Sequence, residues 1–500
     1  METTHVKTAV LGTGFSGLGM AYRLLQDGER DFVVLEKADD IGGTWRDNSY
    51  PGCACDVPSN LYSWSFAQNP TWSRSFSKQP EIHAYMKQVA ARTGLLEKVK
   101  FGHDVQSATW SEADQAWKVE TTKGHFTAET VITGMGGLYE PLIPKVEGLE
   151  TFPGPMFHSA RWDHDVDLAG QRVAVIGTGA SAIQFVPEIQ KQVGHLTVFQ
   201  RTAPWLLPRT DRPLKRWNNA LYRYVPGAQR AVRVGLYWGR EIFAVPVLWP
   251  KFTGRLELVA KAHMNRAIKD PELREKLTPN YKIGCKRMLL SNTYYPALAK
   301  DNVSVETADI AKIEGNTIIT ADGTRHEADV IILGTGFHVT DAPVAQKVTG
   351  RKGQTLAEKW GGTMAAYKGT TIPDFPNFFM LLGPNTALGH TSVVVMIEGQ
   401  IAQVRRVLAE RRKRGAHTVE PTAPAYDAYN ERVQRKSKTT VWVAGGCKSY
   451  YLDDNGKLST IWPGFTFTFL QRMRKLVADD YTWGNKAPAA KATAPEPAKV

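Results

Sequence analysis

Cysteine is scarce: only Cys53, Cys55, Cys285 and Cys447 occur in 500 residues. Just two of them are close, and the C-x-C spacing of Cys53 and Cys55 is not the C-x-x-C of a redox dithiol. Four cysteines are also too few for a disulfide framework. The 12 histidines form no H-x-x-x-H pair and no cluster with cysteine, so no metal site is expected. Acidic residues are in deficit, 49 against 62 Lys and Arg, for a net charge of +13. Arginines fall beside the motifs described below, so the surplus suits polyanionic nucleotide cofactors better than a nucleic-acid partner. No apolar run is long enough to span a bilayer. The most apolar stretch, 236–250, is broken by Arg240, Glu241, Pro246 and Pro250, which leaves only a surface membrane contact open. The first ten residues lack a charged-then-apolar signal pattern and run straight into a strand, so a cytoplasmic protein is expected.

The chain does have ample core material: 42% of its residues are hydrophobic, enough for two or three domains. An apolar run at 6–11 feeds Gly12-Thr13-Gly14-Phe15-Ser16-Gly17, and Leu18, Ala21 and Leu24 follow at helical spacing. A second apolar run, 32–35, ends at Glu36. Strand, glycine turn, helix, strand and acid in this order form a dinucleotide site. The glycines let backbone N–H groups approach a pyrophosphate at the helix N-terminus, with Ser16 at that turn, and Glu36 can accept from ribose hydroxyls.

The pattern recurs at 172–176, followed by Gly177-Thr178-Gly179-Ala180-Ser181-Ala182, with Ala182 in place of the third glycine. The next strand ends in Gln200-Arg201-Thr202, with a guanidinium where NAD-binding folds carry an acid. Arg201 can pair with a 2′-phosphate that a carboxylate would repel, which selects NADPH over NADH. Two further strand-to-glycine segments, 130–137 and 330–337, mark passages between the domains. The stretch 204–278 reads as helical and interrupts the second nucleotide fold. Ile397, Ile401, Val404 and Leu408 form one helix face that ends in basic residues and Gly415, as the helix dipole favours. The Ala-, Pro- and Lys-rich tail, 485–500, has little to bury and is expected to be disordered.

Two longer motifs carry a family resemblance. Phe152-Pro153-Gly154-Pro155-Met156-Phe157-His158-Ser159-Ala160-Arg161-Trp162-Asp163 resembles the F-x-G-x-x-x-H-x-x-x-W-[P/D] signature of type I Baeyer–Villiger monooxygenases. Ser159 stands where Thr is commoner. The segment from Gly42-Gly43-Thr44-Trp45 through Tyr50-Pro51-Gly52 to Asp56 resembles that family's G-G-x-W-x-x-x-x-[FY]-P-[GM]-x-x-x-D element. The resemblance runs from residue 6 to about residue 475.

It implies an α/β fold with two Rossmann-like domains, for FAD and NADPH, and a helical insertion in the second. The corresponding division is FAD domain 1–147 and 346–484, NADPH domain 148–205 and 281–345, and insertion 206–280. Thr44, Trp45, Arg46, Asp47 and Tyr62 would wrap the flavin. Ala54, Cys55 and Asp56 would lie where flavin meets nicotinamide. Lys286 would join Arg201 and Thr202 on the 2′-phosphate. Arg287, oriented by Asp56, would stabilise a flavin C4a-peroxide and the oxyanion formed when it attacks a ketone, giving an ester or lactone. His158 belongs to the interdomain linker, as a coupling residue or a structural cap. Trp442 resembles the tryptophan of a loop that closes over NADP, although Ala444-Gly445-Gly446-Cys447 departs from the family pattern; a core tryptophan is the competing reading. His390 is a candidate pocket wall. Competing activities are sulfide or amine oxygenation by the same architecture and, outside catalysis, a flavin redox sensor.

Overall fold

The computed structural model describes residues 3–341 and 343–485, so the expected tail lies outside the described residues except for Asn485. Two mainly parallel sheets organise the chain. In the first, β1 (Thr3–Leu11) lies between β2 (Phe32–Leu35) and the strand His125–Thr133, parallel to both. The strand Phe378–Met380 also pairs with His125–Thr133, so this sheet takes strands from both ends of the chain. Every residue of β2 is buried, as expected of a strand covered on both faces. Helix α1 (Phe15–Gln26) follows β1 directly and buries Leu18, Ala21 and Leu24 at the predicted spacing.

The second sheet has five parallel strands. At its centre is β3 (Arg172–Ile176), flanked by β4 (His195–Phe199) and the strand Val330–Leu333. Helix α2 (Ala182–Ile189) connects β3 to β4. The strand Met156–His158 forms one edge, pairing with Val330–Leu333.

Between β4 and the return to this sheet at Val303–Glu306 the chain is mainly helical: α3 (Arg216–Tyr224), α4 (Ala228–Glu241), α5 (Ala244–Leu248) and α6 (Thr253–Ala267) are followed by the shorter helices Pro271–Lys276 and Tyr294–Leu298. The apolar stretch 236–250 is shared between α4, α5 and the turn that follows. Among the described residues, no helix is long and apolar enough to cross a membrane. A short parallel pairing of Leu206–Leu207 with Leu289–Leu290 closes the base of this excursion. Arg233 on α4 pins it to the first domain, its buried guanidinium donating to the carbonyls of Asn60, Leu61 and Ser63. The helix Val393–Lys413 buries Ile397, Ile401, Val404 and Leu408, and the chain leaves it through Gly415 at φ +63°.

Candidate active site

Both glycine turns are built around close backbone contacts. A Cβ at Gly17 would lie 1.8 Å from the Gly12 carbonyl oxygen, and Gly12 itself has φ +94°. The segment 130–137 supplies the floor: a Cβ at Gly134 would stand 2.7 Å from the Gly17 nitrogen. The second turn repeats the device, with Gly177 at φ +104° and its Cβ position 2.5 Å from the Gly334 oxygen. Ala182 replaces the third glycine because Gly334 faces it; a Cβ there would be 3.4 Å from that of Ala182. The two strand-to-glycine segments thus back the two turns. By contrast, a Cβ at Gly14 would meet nothing within 4 Å, so the space before the N-terminus of α1 is open. An open cradle bounded by glycines, with helix N–H groups facing it, fits a pyrophosphate.

Glu36 ends β2 and accepts from the backbone N–H and hydroxyl of Thr13, 3.0 and 2.5 Å. Arg46 bridges Glu36 at 2.9 Å and Asp47 at 2.8 Å, which orders the short helix Thr44–Asp47. Trp45 Nε1 donates to the Tyr62 hydroxyl at 3.1 Å. Ser16 is buried in the first turn of α1. These predicted cofactor residues therefore converge beside the first turn.

At the second turn, Gly179 and Ala180 are exposed and Ser181 is half-buried, while the Thr178 hydroxyl reaches the Thr202 carbonyl at 3.4 Å. Burial and the neighbouring Arg201 charge lower the pKa of Lys286, so two cations 85 residues apart in sequence share one place. No carboxylate pairs with either among the described residues, and a phosphate would relieve the repulsion. Arg201→Ala is expected to raise KM for NADPH about tenfold or more and leave that for NADH unchanged, by loss of one charge-assisted contact. Steady-state kinetics with both coenzymes checks this.

Asp56 and Arg287 meet across 231 residues: Asp56 Oδ2 accepts from Nε at 2.9 Å and from Nη2 at 2.5 Å. Burial opposes ionisation of Asp56, but Arg287, with Arg240 and Arg209 behind it, outweighs burial and holds the carboxyl below its usual range. Asp56 in turn keeps Arg287 charged. The pair lines a cavity with Arg240, Phe243, Met288 and His390. Because the Asp56 pKa is depressed, the ion pair is lost only as pH falls through that lowered value. Product formed per NADPH should therefore stay constant down to about pH 4, the ordinary Asp pKa. Asp56→Asn should lower that yield about tenfold at every pH; a pH profile of coupling tests both.

Several residues of this site carry no local sequence signal. Gln184 on α2 clamps Ala54 in both directions, accepting from its N–H at 3.1 Å and donating to its carbonyl at 3.0 Å. It thereby fixes the segment leading to Asp56 against the second nucleotide fold. Arg209 holds the Cys55 carbonyl at 3.0 Å. Arg240, on α4, donates to the His390 carbonyl at 2.9 Å. His390 Nε2 contacts Thr466 at 3.1 Å and Glu241 at 3.4 Å, so it is a wall held from two sides.

Cys53 and Cys55 are free, and burial pushes both thiols up, Cys53 to about 12, which suits packing rather than redox exchange. A disulfide does form, between Cys285 and Cys447, 162 residues apart. It ties the segment preceding Lys286 and Arg287 to the loop after Trp442, where the sequence departs from the family pattern. Trp442 is 2% exposed and packs near Trp205, Tyr281 and Cys285, a core position. His158 is also buried: its Nδ1 caps Ala160 N–H at 3.1 Å, its ring meets Phe337, and burial lowers its pKa to about 4. It does not line the Asp56–Arg287 cavity.

Residues 9–222 match a family model described as pyridine nucleotide-disulphide oxidoreductase. A Baeyer–Villiger monooxygenase of Streptomyces coelicolor is 51% identical over 97% of this chain and 94% of its own. An FAD-binding monooxygenase of Aspergillus niger is 36% identical over 98% of this chain and 83% of its own. The crystal structure of a Rhodococcus cyclohexanone monooxygenase bound to NADP+ superposes with a TM-score of 0.87 at 27% identity, covering 97% of this chain and all of that one. With paired glycine turns, an Asp56–Arg287 pair lining a cavity and relatives that align along nearly its whole length, the chain belongs to the Baeyer–Villiger monooxygenase family.

Proposed function

We propose that the protein is an FAD- and NADPH-dependent monooxygenase that inserts one atom of O2 beside a ketone carbonyl, giving an ester or lactone. The observation that carries this reading is the Asp56–Arg287 ion pair facing a cavity between the two nucleotide folds. Bound FAD, reduced by NADPH, supplies the activation of O2. The first glycine turn, Glu36 and the 44–47 helix hold the FAD; Arg201, Thr202 and Lys286 hold the 2′-phosphate of NADPH.

Arg287 provides a fixed cation where negative charge develops on the substrate carbonyl oxygen as the new C–O bond forms. Such preorganised stabilisation is strongest where water is excluded. Asp56 prevents Arg287 from swinging away, and Arg209 and Gln184 fix the backbone that carries Asp56. Phe243 and Met288 give the cavity apolar wall, with Arg240 bordering it from the insertion and His390 from the segment before the helix Val393–Lys413. Labelling tests the reaction. Under 18O2 with NADPH and a panel of linear, cyclic and aromatic ketones, one 18O should appear in the ester-bridging position by mass spectrometry. Labelled sulfoxide or N-oxide from sulfide or amine substrates, with no ester from any ketone, would replace this reading with heteroatom oxygenation.

A further inference from the structure

A second cavity, about 560 Å³, shares no lining residue with the one at Arg287 and none with either glycine turn. Five cations line it: Lys368, Arg432, Lys436, Arg472 and Lys475. The one acid in its wall, Asp480, is bonded to the Tyr367 hydroxyl. The cations arrive from three places in the chain, namely the turn at 367–371, the helix Ala423–Ser437 and the helix Thr466–Arg474 with its continuation.

Two details set this cluster apart from a solvated basic surface. Lys368 is 6% exposed and sits at φ +53°, a left-handed conformation that favours glycine or asparagine. A strained backbone that holds a lysine inside is the kind of outlier from which a function is inferred. Its ammonium donates to the Lys475 carbonyl at 2.6 Å, which leaves two of its three N–H donors for another partner. Burial, and then the charges of Arg472, Lys475 and Arg406 against that of Asp480, lower its pKa to about 8. The second detail is Tyr429, which is 7% exposed with its hydroxyl buried and without a hydrogen-bond partner.

We propose that this cavity binds a small di- or polyphosphate anion at a site separate from FAD and NADPH. Charge alone calls for a ligand of more than one negative charge. Two guanidiniums, Arg432 and Arg472, offer planar paired donors that match phosphate oxygens. A volume of about 560 Å³ exceeds what a lone phosphate fills and lies in the range of small-molecule sites. The ligand is either free pyrophosphate or a diphosphate carried on a larger molecule, and the same experiment separates them.

Holoenzyme saturated with NADP+, so that Arg201 and Lys286 are occupied, is titrated by calorimetry with inorganic pyrophosphate and, separately, with ADP. Saturable binding of either is expected, weakening with salt and weakened about tenfold or more in Arg472→Gln. The double variant Arg432→Gln/Lys436→Gln alters exposed positions on a helix, so it keeps the test valid if Arg472→Gln fails to fold. FAD content and NADP+ affinity should be unchanged in both. Tighter binding of pyrophosphate identifies a free anion, and tighter binding of ADP a nucleotide; each supports the site. No saturable heat at millimolar ligand, or equal affinity in the variants, would overturn it.

Discussion

Arg287→Ala is expected to keep oxidising NADPH while ester formation falls by about 10²- to 10³-fold, the usual loss for one preorganised donor at a developing oxyanion. Hydrogen peroxide should appear in place of the missing ester. Nicotinamide-to-flavin hydride transfer requires the two rings to be held together, a task that the proposed function gives to the glycine turns, the 44–47 helix and the Arg201–Lys286 pair. None of those groups depends on Arg287. Oxygen insertion is different, because negative charge builds on the transferred oxygen and then on the carbonyl oxygen. In the proposed mechanism, the cation that Asp56 fixes at 2.5–2.9 Å would stabilise both. Arg287→Lys is expected to recover only part of the yield: the ammonium keeps the charge but loses the paired geometry with Asp56. Simultaneous measurement of NADPH consumption, peroxide and ester separates the two half-reactions. A variant that makes ester at the original yield per NADPH would remove Arg287 from the chemistry.

The parts of this site legible in the sequence are those where the backbone admits one residue type or the family motif spans a continuous stretch. Gly17 and Gly177 are readable because a side chain there collides with main chain, and Gly12 because its backbone sits at φ +94°. Arg201 is readable because it replaces an expected acid. The 42–56 and 152–163 segments are contiguous, so their resemblance needs no folding to detect. The pairing of Asp56 with Arg287 came from that resemblance, since nothing in the spacing of residues 231 apart implies contact.

What stayed hidden is tertiary. Gln184, Arg209, Arg233 and Arg240 are ordinary helix or loop residues whose roles exist only once the two folds and the insertion face each other. The Cys285–Cys447 bond is of the same kind, because a count of four cysteines cannot reveal a pairing between residues 162 positions apart. The segments 130–137 and 330–337 gave little by themselves. Their role as floors of the two glycine turns needed the positions of Gly134 and Gly334.

Gly14→Leu is expected to yield folded but colourless protein. Gly14 has φ −72° and ψ −172°, extended backbone that leucine adopts without strain. A Cβ there meets no protein atom within 4 Å, so neither the turn nor α1 is obstructed. The added side chain occupies instead the open space before the helix N-terminus, where backbone N–H groups are free to receive a pyrophosphate. Losing that approach should reduce bound flavin to a trace while circular dichroism stays close to the parent's and the thermal melt stays close to that of FAD-stripped parent. Gly17→Ala makes the opposite case. Its Cβ would lie 1.8 Å from the Gly12 carbonyl oxygen, so the turn itself must move. Flavin loss there should come with destabilisation of about 1–3 kcal/mol or more. Flavin absorbance after gel filtration, read beside a melting curve for each variant, distinguishes a filled cradle from a broken one. Full flavin content in Gly14→Leu would mean that FAD is held elsewhere and that the N-terminal glycine turn has another ligand.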